Sequence, residues 1–187
     1  MYQLGQFNLP KNFRGKKGLI VQFWRTTYFL LYKPSPQIMY GWRRFLLRLF
    51  GAKIGKKVIL RPSSQITYPW KLEIGDYSWI GDDVVLYNLG NIKVGANTII
   101  SQKSYLCTGS HDYNSISFEI YQKPIVIGNS CWVATDVFIA PGIKITDEVV
   151  IGARSSVFKD ISEKGIYKGN PAKRIFKEMI YEHNHNK

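Results

Sequence analysis

The sequence predicts a mainly β protein, a parallel β-helix of hexapeptide repeats preceded by amphipathic helices. Three observations carry that prediction. Ile127, Val133, Ile139, Ile145, Ile151 and Val157 stand six residues apart without a slip. The same beat runs upstream through Ile54, Leu60 and Ile66, then Ile74, Ile80, Leu86 and Ile92, then Val94, Ile100 and Leu106. Gly or Ala often follows the apolar position, as at Gly75, Gly95, Gly128 and Ala134, where room is short or a positive φ is required. A helix returns apolar side chains every three or four positions and a flat strand every second one, so a period of six fits neither. Each apolar residue then points into the axis of a triangular coil, with about 18 residues per turn. Slips of two residues after Leu72 and after Ile92 reset the phase.

Taken in order, residues 1–50 form a basic helical cap. Residues 1–17 read as an extended, weakly ordered arm. Ile20, Phe23, Trp24, Tyr28 and Leu31 then recur at helical spacing, up to a break at Pro34, Ser35 and Pro36. Ser35 followed by Pro36 reads as the N-cap of a second helix. Met39, Trp42, Phe45, Leu46, Leu49 and Phe50 line one face of it, Arg43, Arg44 and Arg48 flank that face, and Gly51 ends it. The coil occupies 51–161, with an excursion at 107–124 where Leu106 and Ile127 lie 21 residues apart. Residues 162–187 leave the repeat and end in a short helix, roughly 172–182.

The chain has 187 residues, 45% of them hydrophobic, which suits one continuous core and excludes disorder. Cys107 and Cys131 suggest no disulfide framework and read as small buried thiols. The longest apolar stretch, 19–32, contains Arg25 and is too short to cross a bilayer, which takes roughly 20 residues. No cleavable secretory signal opens the chain, so a cytoplasmic location is expected, with a peripheral place at the inner face of the membrane as its variant. The net charge of +13 is lopsided: residues 1–72 hold 14 of the 26 Lys and Arg and none of the 13 Asp and Glu. Such asymmetry points to an anionic partner. Two readings of residues 1–50 stand side by side: a lid on the open end of the coil, or a lid that also touches an anionic membrane. Nucleic acid is not expected, because no reading-helix motif accompanies the basic stretch.

The excursion is polar and carries His111, the one histidine outside the tail. A loop pushed out of a regular scaffold is a common seat of function, and imidazole suits proton abstraction near neutral pH. Asp112 is adjacent, but neighbours on a loop seldom face each other, so the group orienting the ring is expected elsewhere. A zinc site of the γ-carbonic-anhydrase type needs three protein ligands. With His183 and His185 in the tail that reading fails, and no metal is expected.

The excursion CTGSHDY, the segment KPIVIGNSCWVATDVFIAPGIKI and the segment VVIGARSSVFKDISEKGIYKGNPAKRI resemble the hexapeptide-repeat O-acetyltransferases. The chain is most similar to the colanic-acid-type subgroup, which acetylates exopolysaccharide precursors, and SPQIMYGWRRFLLRLFGAKIG extends the resemblance over the helices. The resemblance implies a left-handed parallel β-helix, a homotrimer, acetyl-CoA as co-substrate with no tightly bound cofactor, and a sugar hydroxyl as acceptor. It places the general base at His111 and an acceptor-side asparagine at Asn88. It puts Trp132 along the pantetheine channel, Thr135 and Ala153 at the pantetheine amides, and Lys159, Lys173 and Arg174 near the cofactor phosphates. The chain departs from the maltose and galactoside enzymes at Phe158, where they often carry threonine, and at Phe176, which replaces a basic residue. Direct transfer is implied, since neither cysteine has a base partner in view. The competing readings are a non-catalytic membrane-associated scaffold and an N-acyltransferase acting on an amino sugar.

Overall fold

A computed structural model of the chain describes residues 2–175. Its body is a three-faced parallel solenoid. The first face stacks Lys53–Ile54, Leu72–Ile74, Ile92–Val94, Ile125–Ile127 and Lys144–Ile145. The second stacks Ile59–Leu60, Trp79–Ile80, Ile99–Ile100, Trp132–Val133, Val149–Ile151 and Gly165–Lys168. The third stacks Gln65–Ile66, Val85–Tyr87, Tyr105–Cys107, Phe138–Ile139 and Ser156–Val157. Every residue of the six-residue beat is buried in the axis, with Leu60, Ile80, Leu86, Ile100, Leu106, Val133, Ile139 and Ile151 wholly inaccessible. The beat is legible because strands of mostly two or three residues recur at each face, and at least one residue of each repeat strand points inward. The slip after Leu72 also has a structural cause. The corner before it winds into a 3-10 turn at Pro69–Lys71, and Leu72 and Ile74 both point inward.

The glycines that follow the apolar positions serve close approach rather than backbone freedom. A Cβ on Gly75 would stand 2.5 Å from the Ala96 nitrogen, and one on Gly95 would stand 2.5 Å from the Gly128 carbonyl carbon. The positive φ falls two residues later, at Tyr77 and Asn97. Side chains tie the corners together along the axis. The carboxylate of Asp76 accepts from the Lys56 N–H at 2.7 Å, and the Asn129 carbonyl accepts from Ala96 N–H at 2.9 Å. Asp147 in turn accepts from Asn129 N–H at 2.7 Å. Each acceptor belongs to the coil that follows its donor, so the turns are riveted as well as stacked.

At the N-terminal end, helix α1 (Gly18–Thr27) runs into a π-wound turn, Tyr28–Tyr32, and helix α2 (Tyr40–Leu49) follows. The first coil has no preceding coil to bond its outward carbonyls, and these helices supply the donors. Arg48 donates to Ile54 O at 2.7 Å and Arg44 to Val58 O at 2.8 Å. Arg43 donates to Leu60 O at 2.7 Å, Tyr28 to Ser64 O at 3.3 Å, and the Trp24 indole to Ile66 O at 3.0 Å. Arg43 is wholly buried and also donates to Ser35 Oγ, Pro36 O and Gln37 O. The basic character of α2 is therefore largely structural.

Three local expectations change. α2 begins at Tyr40 after Met39, while Ser35 donates to Tyr32 O and receives Arg43 instead of capping the helix. The apolar stripes split between two faces: Trp24, Tyr32, Leu46 and Leu47 are buried against the coil, whereas Ile20, Phe23, Leu31, Phe45 and Leu49 are exposed. Lys173–Ile175 is a strand antiparallel to Gly165–Lys168, where the C-terminal helix was expected to begin. The remainder of that helix, with Phe176, lies outside the described residues.

Candidate active site

The excursion leaves the solenoid at the corner between the third and first faces and forms a hairpin, with Gly109–His111 antiparallel to Ile120–Gln122. Its root is fixed twice. Thr108 Oγ1 donates to Tyr87 O at 2.7 Å and accepts from Gly90 N–H at 2.8 Å. Lys71 Nζ donates to Phe13 O at 2.7 Å, to Gln122 Oε1 at 3.0 Å and to Leu89 O. That ammonium joins the N-terminal arm, the second coil and the hairpin, and its burial pushes its pKa below the usual lysine range. Around it, Phe13, Val21, Tyr68 and Leu89 form a second apolar cluster that Ile120 covers from the hairpin.

His111 lies opposite Ile120 in the hairpin and is half-buried. Its ring stacks on Phe118 with centroids 4.3 Å apart and planes 8° from parallel, and Nδ1 lies 2.8 Å from Phe118 O. A carbonyl oxygen can only accept, so Nδ1 carries the proton and Nε2 of the neutral ring keeps its lone pair. Asp112 takes no part: its backbone N–H donates to Glu119 O, and its carboxylate accepts from Asn114 N–H to close the turn. The arm expected to be loosely ordered lies along this hairpin instead. Gln3 N–H donates to Ile116 O at 2.8 Å, Tyr2 packs 4.8 Å from Phe118, and Phe7 sits 6.1 Å from His111.

The other site residues from the sequence fall into three places. Asn88 is wholly inaccessible, its Oδ1 accepting from the Thr67 and Tyr68 N–H groups and its Nδ2 donating to Tyr68 O at 2.6 Å. It rivets two coils, and no surface of it is open to a ligand. Trp132, Thr135 and Ala153 lie on the second face and at the corner that leads to the third. Trp132 is half-exposed, its indole donating to Ser101 Oγ at 3.0 Å, and Thr135 donates to Gln102 O at 3.0 Å. Lys173 and Arg174 stand on the strand at the end of that same face, with Arg174 paired to Glu163. Lys159 sits at the corner that bears His111, two coils further on. A single chain thus keeps His111 and the Trp132 group on different corners of the prism.

Between the cap and the third face lies a cleft of about 540 Å³, and its walls include Arg14, Arg25, Tyr28, Tyr68, Tyr87 and Tyr105. Among the described residues no acidic side chain lines it. Tyr68 and Leu89 belong both to this cleft and to the cluster beneath the hairpin, so the two are contiguous. Sequence reasoning missed Phe118, Lys71 and this cleft. Their partners lie 7 to 58 residues away, and no local pattern announces them. Both thiols are free, and burial pushes each above the usual cysteine range. Among the described residues no cluster of metal-ligating side chains occurs.

A parallel β-helix with one imidazole on a hairpin at its corner defines a class of molecule, and comparison with known proteins identifies it. No protein-family model matches the chain. It is 59% identical, over 92% of its own length and 94% of the relative's, to WcaF of Escherichia coli (strain K12), named provisionally as a colanic acid biosynthesis acetyltransferase. Among solved structures it is similar to a maltose O-acetyltransferase from Clostridium difficile 630, with a TM-score of 0.77 and 25% identity over 85% of this chain and 88% of that one. It is also similar to a galactoside acetyltransferase in complex with coenzyme A, with a TM-score of 0.79 and 23% identity over 90% and 84% of the two chains. The chain belongs to the hexapeptide-repeat acetyltransferases of left-handed β-helix fold, in the colanic acid biosynthesis subgroup.

Proposed function

We propose that the protein transfers acetyl from acetyl-CoA to a hydroxyl of a glycan precursor, with His111 as general base. One observation carries this reading: Nδ1 lies 2.8 Å from the Phe118 carbonyl, so in the neutral ring that nitrogen holds the proton and Nε2 is the acceptor. Nε2 takes the hydroxyl proton as the oxygen bonds to the thioester carbonyl carbon. The tetrahedral intermediate then collapses, the C–S bond breaks, and the imidazolium returns the proton to the departing thiolate. Backbone N–H groups near the hairpin would stabilise the oxyanion. The raised pKa values of Cys107 and Cys131 keep both thiols protonated at neutral pH, which favours direct transfer over an acyl-enzyme.

Trp132, Thr135 and Ala153 supply the wall and backbone groups for the pantetheine arm, and Lys159, Lys173 and Arg174 supply cations for the phosphates. Because His111 stands on another corner, the reading calls for a homotrimer in which one chain's hairpin meets the neighbour's Trp132 corner. The cleft beside the hairpin, with its tyrosines and two guanidinium groups, suits a sugar acceptor. With Asn88 buried, the acceptor contacts on this reading come from the cleft.

The test is thiol release from acetyl-CoA across a panel of nucleotide-linked and lipid-linked sugars. His111→Ala is expected to lower turnover by about 10²–10⁴-fold with unchanged thermal unfolding. Unchanged turnover would remove the proposed base. For the shared site, His111→Ala and Trp132→Ala chains, each weak alone, are refolded together. Partial recovery of activity is expected, and no recovery would place each site within one chain.

A further inference from the structure

We propose that the outer surface of the N-terminal cap docks on an anionic phospholipid bilayer. Both cap helices carry a second apolar stripe on the side away from the coil. On α1 and its π-wound extension it comprises Leu19, Phe23 and Leu30, exposed by 84%, 65% and 67%. Around α2 it comprises Ile38, Phe45 and Leu49, exposed by 84%, 53% and 64%, with Trp42 half-buried among them. The two stripes form one surface: Phe23 packs 5.4 Å from Phe50, and the Trp42 indole donates to Leu31 O at 2.9 Å and stacks on Phe45. Packing against the coil does not require Leu19, Phe23, Leu30, Ile38, Phe45 or Leu49, because Trp24, Tyr32, Leu46 and Leu47 fill that role, with Trp42 and Phe50 partly buried beside them. A continuous apolar surface of this kind marks an interaction site.

Charge identifies the occupant. Arg43, Arg44 and Arg48 are engaged by carbonyls, but Lys16, Lys17 and Lys33 are exposed on the same cap. No acidic residue precedes Glu73. A second copy would bring this cationic rim against itself, whereas a bilayer offers acyl chains to the stripe and phosphates to the rim. No helix among the described residues is long and apolar enough to cross a membrane, so the cap lies in the plane of the interface.

The test is flotation of the full chain with phosphatidylglycerol vesicles and with phosphatidylcholine vesicles. Binding is expected to the first and not the second, and to weaken severalfold in about 0.5 M salt. Phe45→Ser with Leu49→Ser, and separately Ile38→Ser, are each expected to reduce the bound fraction at least severalfold with unfolding temperatures near wild type. Lys16→Gln with Lys17→Gln and Lys33→Gln, which leaves the apolar stripe intact, is expected to do the same. Failure of the wild-type chain to bind phosphatidylglycerol would overturn the proposal, as would undiminished binding by all three variants. Light scattering of Ile38→Ser closes the alternative: a drop in particle mass without vesicle binding by the wild type would assign the face to contact between copies.

Discussion

His111 is held on two sides, by the Phe118 carbonyl at Nδ1 and by the Phe118 ring beneath its plane. The carbonyl selects the tautomer, and the ring sets where Nε2 points. With His111 as the proposed base, Phe118 becomes a positioning residue, and misplacement of a reacting group by about 1 Å can cost on the order of 10²-fold in rate. Phe118→Ala is expected to lower kcat by roughly 10–100-fold while KM for acetyl-CoA stays unchanged, and Phe118→Tyr is expected to restore most of the rate. Steady-state kinetics of the two variants decides it, and equal loss in both would reduce Phe118 to ordinary packing. Asp147 offers a test in pH. The backbone N–H and side-chain amide of Asn129 hold its carboxyl below its ordinary value of 3.8. Its contribution to stability is thus present above 3.8 and lost as the pH falls through its folded value. Asp147→Asn is expected to flatten the fall in unfolding temperature between about pH 5 and pH 3, measured by circular dichroism melts.

Elements here owe their shape to polar ties as much as to apolar filling. Arg43 is the clearest case, a buried guanidinium satisfied by three carbonyls and one hydroxyl. Arg43→Ala leaves those acceptors unpaired and is expected to cost about 3 kcal/mol, a fall in Tm of roughly 6–12 °C. Arg43→Lys should recover little, because an ammonium cannot fork to the same acceptors. Lys71 plays the corresponding part for the hairpin, and Lys71→Met is expected to speed hydrogen exchange of the arm while leaving exchange in the solenoid core unchanged. The hexapeptide beat was readable because every inward position obeys one rule, from Ile54 to Val157. The cap was readable as helices but not in orientation: a helix apolar on both sides gives no sequence cue to its buried face, and Ile20 and Phe23 look as core-like as Trp24. His111 could be singled out as the sole histidine outside the tail, whereas Phe118 and Lys71 act through pairings that only the folded hairpin creates.

At the scale of the whole molecule, stacking and site geometry are coupled. Gly95 admits the fourth coil so closely that a methyl group would meet the Gly128 backbone. Gly95→Ala is expected to destabilise the prism by about 1–3 kcal/mol, read from denaturant midpoints, and to move the coil that carries Trp132 relative to the one that precedes the hairpin. Rigidity along the axis is what allows side chains on separate corners to keep fixed positions. The carbonyls of Ile54, Val58, Leu60, Ser64 and Ile66 carry a further consequence. A solenoid whose terminal strands keep free acceptors is a template on which another solenoid can seat, coil upon coil, into a fibre. With guanidinium, phenol and indole donors already bonded there, this end offers no ladder to extend, and the repeat that builds the prism stops short of polymerising it.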